Sequence, residues 1–71
     1  MKEITSEMAL AKRKELKLNQ SDFWKKVKVT QSGGSRYESG RPLPNHVQIV
    51  FNLVYGTDKE AEKLFRALRE K

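Results

Sequence analysis

The chain contains no cysteine and a single histidine, His46. The first absence removes any disulfide framework and any thiolate metal site. The second leaves no basis for a histidine metal cluster or a catalytic triad, and no nucleophile–base set is present, so enzymatic activity is the weakest reading. No apolar run approaches the ~18 residues of a membrane span. The charged start of the sequence lacks the apolar stretch of a signal peptide. A cytoplasmic protein with no membrane partner, no metal and no cofactor is therefore expected. Only two prolines occur, Pro42 and Pro44, close together, so the segments on either side are free to be helical. Seventy-one residues leave room for one domain, 1–71, with a modest core. A domain this small without covalent staples gains stability by self-association.

Acidic residues are scarce relative to basic ones: 9 Asp and Glu against 15 Lys and Arg, a net charge of +6. Such a balance favours a polyanionic partner. The excess is local. Residues 12–41 hold nine basic residues and three acids, which accounts for the whole +6. Residues 42–56 carry no formal charge, and residues 57–71 mix both signs. A basic surface that is merely solvated is the plainer alternative.

The hydrophobic spacing predicts five short helices and no strands, at about 5–16, 20–27, 31–38, 45–55 and 58–70. Thr5 or Ser6, Asn19 and Thr30 stand at the starts of the first three as caps. Pro44 suits the first turn of the fourth. Thr57-Asp58-Lys59-Glu60 reads as a capping box for the fifth. In the first helix Ala9, Arg13 and Leu16 form the inward stripe, flanked by Met8. In the second, Phe23 and Val27 share a face beside Trp24. Only the first three or four residues and the last one or two are expected to fray.

Two short helices joined by a tight turn, with a polar second helix inside the basic window, describe a helix-turn-helix. Projected at 100° per residue, Gln31, Ser32, Ser35 and Arg36 share one arc of the third helix, and Gly33, Gly34, Tyr37 and Glu38 the other. Every side chain of the first arc can hydrogen-bond, which suits the edges of bases: arginine with guanine, glutamine with adenine. The free N–H groups where Asn19 and Gln20 open the second helix suit a phosphate. Thr30, Lys28 and Arg41, with Lys25 and Lys26, are further candidates for backbone contacts.

Leu18-Asn19-Gln20, Val27, Thr30-Gln31-Ser32 and Arg36-Tyr37-Glu38-Ser39-Gly40-Arg41, followed by prolines, resemble the Cro/repressor-type (XRE) helix-turn-helix family over residues 5–56. The resemblance implies an all-α, compact, five-helix lambda-repressor-like domain whose third helix enters the major groove of double-stranded DNA, usually as a homodimer on a palindromic operator. It implies base reading by Gln31, Ser32, Ser35 and Arg36, a phosphate contact at Gln20, and a structural ion pair between Arg13 and Glu38.

Three positions depart from that family's pattern. It has alanine where Trp24 stands, glycine in the turn where Lys28 stands, and isoleucine or valine where Gly34 stands. Two glycines within one helix cost ~1 kcal/mol each relative to alanine, so a compensation is expected. An exchange of volume, with the Trp24 indole filling the space over Gly34, is the simplest; an indole stacked on bases is the sharper alternative.

The fourth helix is unusually apolar. Val47, Val50, Phe51 and Val54 make an inward stripe, while Ile49 and Leu53 fall on another flank. With Phe65 and Leu68 of the fifth helix, that flank is expected to form a two-fold dimer surface; burial within a monomer by the fifth helix is the alternative. The leading function is a transcriptional regulator, a repressor. The alternative is an antitoxin-type DNA-binding protein whose apolar surface takes a toxin polypeptide. A third reading, an adaptor that binds only protein, sits poorly with the polar, basic reading face.

Overall fold

Hydroxyl and amide side chains start four of the five helices in the computed structural model, which describes residues 3–70. Thr5 accepts from the Met8 N–H to open α1 (Ser6–Leu16), and Asn19 accepts from Asp22 to open α2 (Gln20–Lys25). Thr30 accepts from Gly33 at the head of α3 (Gln31–Glu38). α4 (Asn45–Tyr55) follows Pro44 with no side-chain cap. Thr57 and Glu60 close a reciprocal capping box on α5 (Asp58–Arg69). Each cap satisfies an amide that the helix itself leaves unpaired. The described residues contain no strand, and none of their helices is long and apolar enough to cross a membrane. The fold is all-α, as the spacing predicts.

α2 stops two residues short of the expected end. The Trp24 carbonyl accepts from both Val27 N (3.1 Å) and Val29 N (3.0 Å). This double acceptance folds the chain out of the helix into a turn where Lys28 sits at φ 64.

The core is aromatic. Phe23 and Trp24 are fully buried, joined by Ala9, Val27, Leu43, Val47 and Phe51. The Phe23 ring stacks on Tyr55 at 4.4 Å and meets Trp24 edge-on at 5.3 Å. The Tyr55 hydroxyl donates to the Phe23 carbonyl, so the end of α4 is tied to α2 by a ring and a hydrogen bond.

Three expectations about the core fail. Leu16 is 44% exposed. It lies on the right stripe but one turn beyond Arg13, and after the chain turns at Lys17 it is Leu18 that packs against the core. Val54 is 42% exposed, because Tyr55 takes the inward position at the end of α4. Ile4, expected to fray, is buried, and its N–H donates to Gln48 Oε1 at 2.9 Å.

α5 packs on α4 and buries none of its residues. Phe65 and Leu68 are each half exposed.

Candidate nucleic-acid interface

α3 divides as its sequence divides. Gln31, Ser32, Ser35 and Arg36 are exposed along one side. On the other, Gly34 is buried and Gly33, Tyr37 and Glu38 are half-buried. Thr30, at the head of this helix, is exposed while its Oγ1 caps Gly33 at 3.1 Å. Arg41, three residues past the end of α3, is exposed, and its N–H returns to the Arg36 carbonyl at 3.1 Å. Lys28 is exposed in the turn before α3. The exposed arc thus sits between flanking cations on a helix whose back is anchored.

The anchor is Glu38. Its carboxylate accepts four hydrogen bonds: from Arg13 Nε (2.8 Å) and Nη2 (2.9 Å), from Trp24 Nε1 (2.7 Å) and from Gln20 Nε2 (3.2 Å). Four donors fill the lone-pair sites of a carboxylate, so α1, α2 and α3 meet on one side chain. Burial by itself raises the pKa of this carboxyl. The hydrogen bonds from Arg13, Trp24 and Gln20 and the Arg13 charge outweigh that effect and hold its pKa below the ordinary value of 4.5. Arg13 also donates to the Leu18 carbonyl at 3.2 Å, which closes the turn between α1 and α2.

Among the phosphate candidates, Asn19 is occupied locally. Its Oδ1 caps Asp22 N at 2.8 Å and its Nδ2 meets Asp22 Oδ2 at 3.1 Å. Gln20 turns its amide inward to Glu38, leaving backbone N–H groups at the head of α2. His46 is exposed. Of the apolar candidates, Ile49 and Leu53 are half-buried and Phe65 and Leu68 are open, with the Arg69 guanidinium 5.4 Å from the Phe65 ring centroid.

The volume exchange around Trp24 has an explicit geometry. A Cβ built on Gly34 would lie under 3.0 Å from Cγ, Cδ1 and Nε1 of the indole, and the ring is fully buried between α2 and α3. The Trp24 N–H on Glu38 and the Gln20 amide beside it were not legible in the sequence. The partners lie 14 and 18 residues apart, and the signal on offer was the coincidence of an oversized residue in one helix with an absent side chain in the next.

The family model described as an RsaL-like helix-turn-helix domain matches residues 10–54, which spans α2, α3, the second part of α1 and all but the last residue of α4, and leaves α5 outside. It supports a helix-turn-helix DNA-binding family and does not single out the Cro/repressor-type branch that the sequence resembles. No curated protein and no solved structure matches the chain. With well over half its length matched, and with a polar helix exposed beyond the turn that follows α2, the chain belongs to the RsaL-like helix-turn-helix domain family.

Proposed function

We propose that this protein is a sequence-specific transcriptional repressor that binds double-stranded DNA as a homodimer, with α3 in the major groove of each half of a palindromic operator. The observation that carries the reading is the exposed arc of Gln31, Ser32, Ser35 and Arg36 on a helix whose opposite side is held by Glu38. Arg36 and Gln31 supply bidentate donors and acceptors for guanine and adenine edges. Asn19, Gln20, Lys28, Thr30 and Arg41 flank the arc and supply phosphate contacts that fix register.

The homodimer is supported by α5. Phe65 and Leu68 are each half exposed on a helix that buries none of its residues. Two copies packed antiparallel across Phe65 and Leu68 would bring the same apolar side chains together about one axis, the self-complementarity that a two-fold demands. A toxin polypeptide on the same apolar face is the competing occupant.

Selection of bound duplexes from a random pool tests this reading. A consensus with two-fold symmetry and half-sites about one helical turn apart is expected. Replacing Gln31 and Arg36 together by alanine should lower discrimination between that consensus and a scrambled duplex by at least about 30-fold, at ~1–3 kcal/mol for each lost pair. Enrichment of no sequence, with binding abolished at moderate salt, would overturn it.

Lys28 carries a second prediction with opposite signs in two measurements. At φ 64 a lysine pays the left-handed penalty of roughly 1–2 kcal/mol, which glycine avoids at some cost in unfolded-chain entropy. Lys28→Gly should therefore raise the melting midpoint, by a net of about 0.5–1 kcal/mol. It should also lower the log–log salt slope of DNA binding by about 0.9, the value of one neutralised phosphate. An unchanged slope would remove Lys28 from the interface.

A further inference from the structure

We propose that Trp24 is the positioning residue of the reading helix: the contact of its indole with Gly34 and its N–H bond to Glu38 fix the depth and roll of α3, and thereby set sequence discrimination. The inference rests on the DNA-reading proposal above.

The two constraints act on different degrees of freedom. The bare backbone at Gly34 lets α3 approach until it meets the indole, since even a Cβ would fall under 3.0 Å from three of its atoms. That fixes how closely α3 lies on α2. Rotation about the axis of α3 is fixed one turn further on, where Glu38 accepts the indole N–H at 2.7 Å. Tyr37, the residue before it, places its ring 5.6 Å from the indole. Arg13 also grips Glu38, but from a flexible side chain on α1, whereas the indole is rigid and fully buried.

The relation to Gln20 adds a reason for the arrangement. Gln20 makes the longest of the four bonds to Glu38, 3.2 Å, and it sits at the head of α2, where a phosphate would approach. When its amide swings to a phosphate, Glu38 keeps three donors, and the roll of α3 survives because Trp24 holds it.

The test replaces Trp24 by β-(3-benzothienyl)alanine, which keeps the bicyclic shape and substitutes sulfur for the N–H. Binding to the selected operator and to a scrambled duplex is measured with the protein folded by circular dichroism. The ratio of the two affinities is expected to fall about tenfold, while affinity for the scrambled duplex and its salt slope stay as in the natural protein. A residue that only fills space would leave the ratio unchanged, and that result would overturn the inference. Trp24→Phe, which also lacks the donor, is read in the same way if the first variant fails to fold. In the unsubstituted protein, the indole ¹H–¹⁵N resonance should keep its hydrogen-bonded shift and slow exchange in the specific complex; loss of that protection overturns the inference without any variant. A natural protein that prefers no sequence overturns the DNA reading itself, an outcome separate from the others.

Discussion

Gly34→Ile should leave the domain largely unfolded under conditions where the natural chain is folded. Overpacking a formed core costs typically 1–3 kcal/mol and sometimes more, and here the neighbour cannot step aside. The indole is held by Glu38 through its N–H and by the rings of Phe23, Tyr37 and Phe51. We expect a loss of at least about 3 kcal/mol, which is much of what a domain of this size has. Gly34→Ala is the more telling variant. Helix propensity alone makes it stabilising by ~1 kcal/mol, yet its Cβ already enters the indole, so a net loss of about 2 kcal/mol is expected. Gly33→Ala is the control within the same helix. Its Cβ would meet Val29 Cγ1 at 3.0 Å and Thr30 Oγ1 at 3.3 Å, contacts that small side-chain shifts relieve, so the change should stay within about 1 kcal/mol. Adding Trp24→Ala to Gly34→Ile should restore part of the loss, because neighbouring substitutions couple. Urea midpoints for the four variants and the natural chain decide the matter. A Gly34→Ala midpoint at or above that of the natural chain would show that the indole can move.

The next largest effect is expected at Glu38. Its side chain is 7% exposed and that of Arg13 21%, so removing the carboxylate strands a largely buried guanidinium together with the Trp24 N–H. Breaking such a pair costs about 3 kcal/mol, the low end of its range because Arg13 keeps some contact with water and its bond to the Leu18 carbonyl. Glu38→Gln keeps the volume but presents an NH₂ group to donors, so it should lose nearly as much as Glu38→Ala. Acid unfolding gives an independent reading. The carboxyl has a lower pKa folded than unfolded, so as acidity rises protons bind the unfolded chain more readily. Its contribution is complete above the ordinary value of 4.5 and is lost as pH falls through the folded-state value. The gap in stability between the natural chain and Glu38→Gln should therefore narrow as pH drops below that range. A gap that holds constant into strong acid would mean that the ionised form of Glu38 contributes nothing.

The local chemistry of this fold was written plainly in the sequence. Thr5, Asn19, Thr30 and Thr57 act on amides three residues away, within the reach of any reading by spacing. The same holds for the polar arc of α3, which is a matter of rotation within eight residues. The structure departs from the spacing where burial depends on where a partner element stops. Leu16 and Val54 lie on the correct stripes of their helices, but periodicity carries no information about the edge of the neighbouring element. Ile4 is buried because Gln48, 44 positions along the chain, accepts its N–H. The ion pair of Arg13 and Glu38 was approachable only through a family likeness, since nothing in their 25-residue separation marks them as partners. Gln20 shows the remaining gap: its position at a helix start suggests a phosphate, and its amide is turned to the Glu38 carboxylate instead.

The interlock of Trp24 with Gly34 also has a consequence for how such a sequence can change. Neither residue can drift alone. A side chain gained at position 34 collides with the indole, while an indole reduced to alanine leaves a void worth about 3–5 kcal/mol. A lineage moving between a bulky second helix and a bulky third one must cross one of these two intermediates. Both are costly on the scale of what a domain of this size has. Substitutions elsewhere that add stability would have to come first. The two positions should therefore change as a pair.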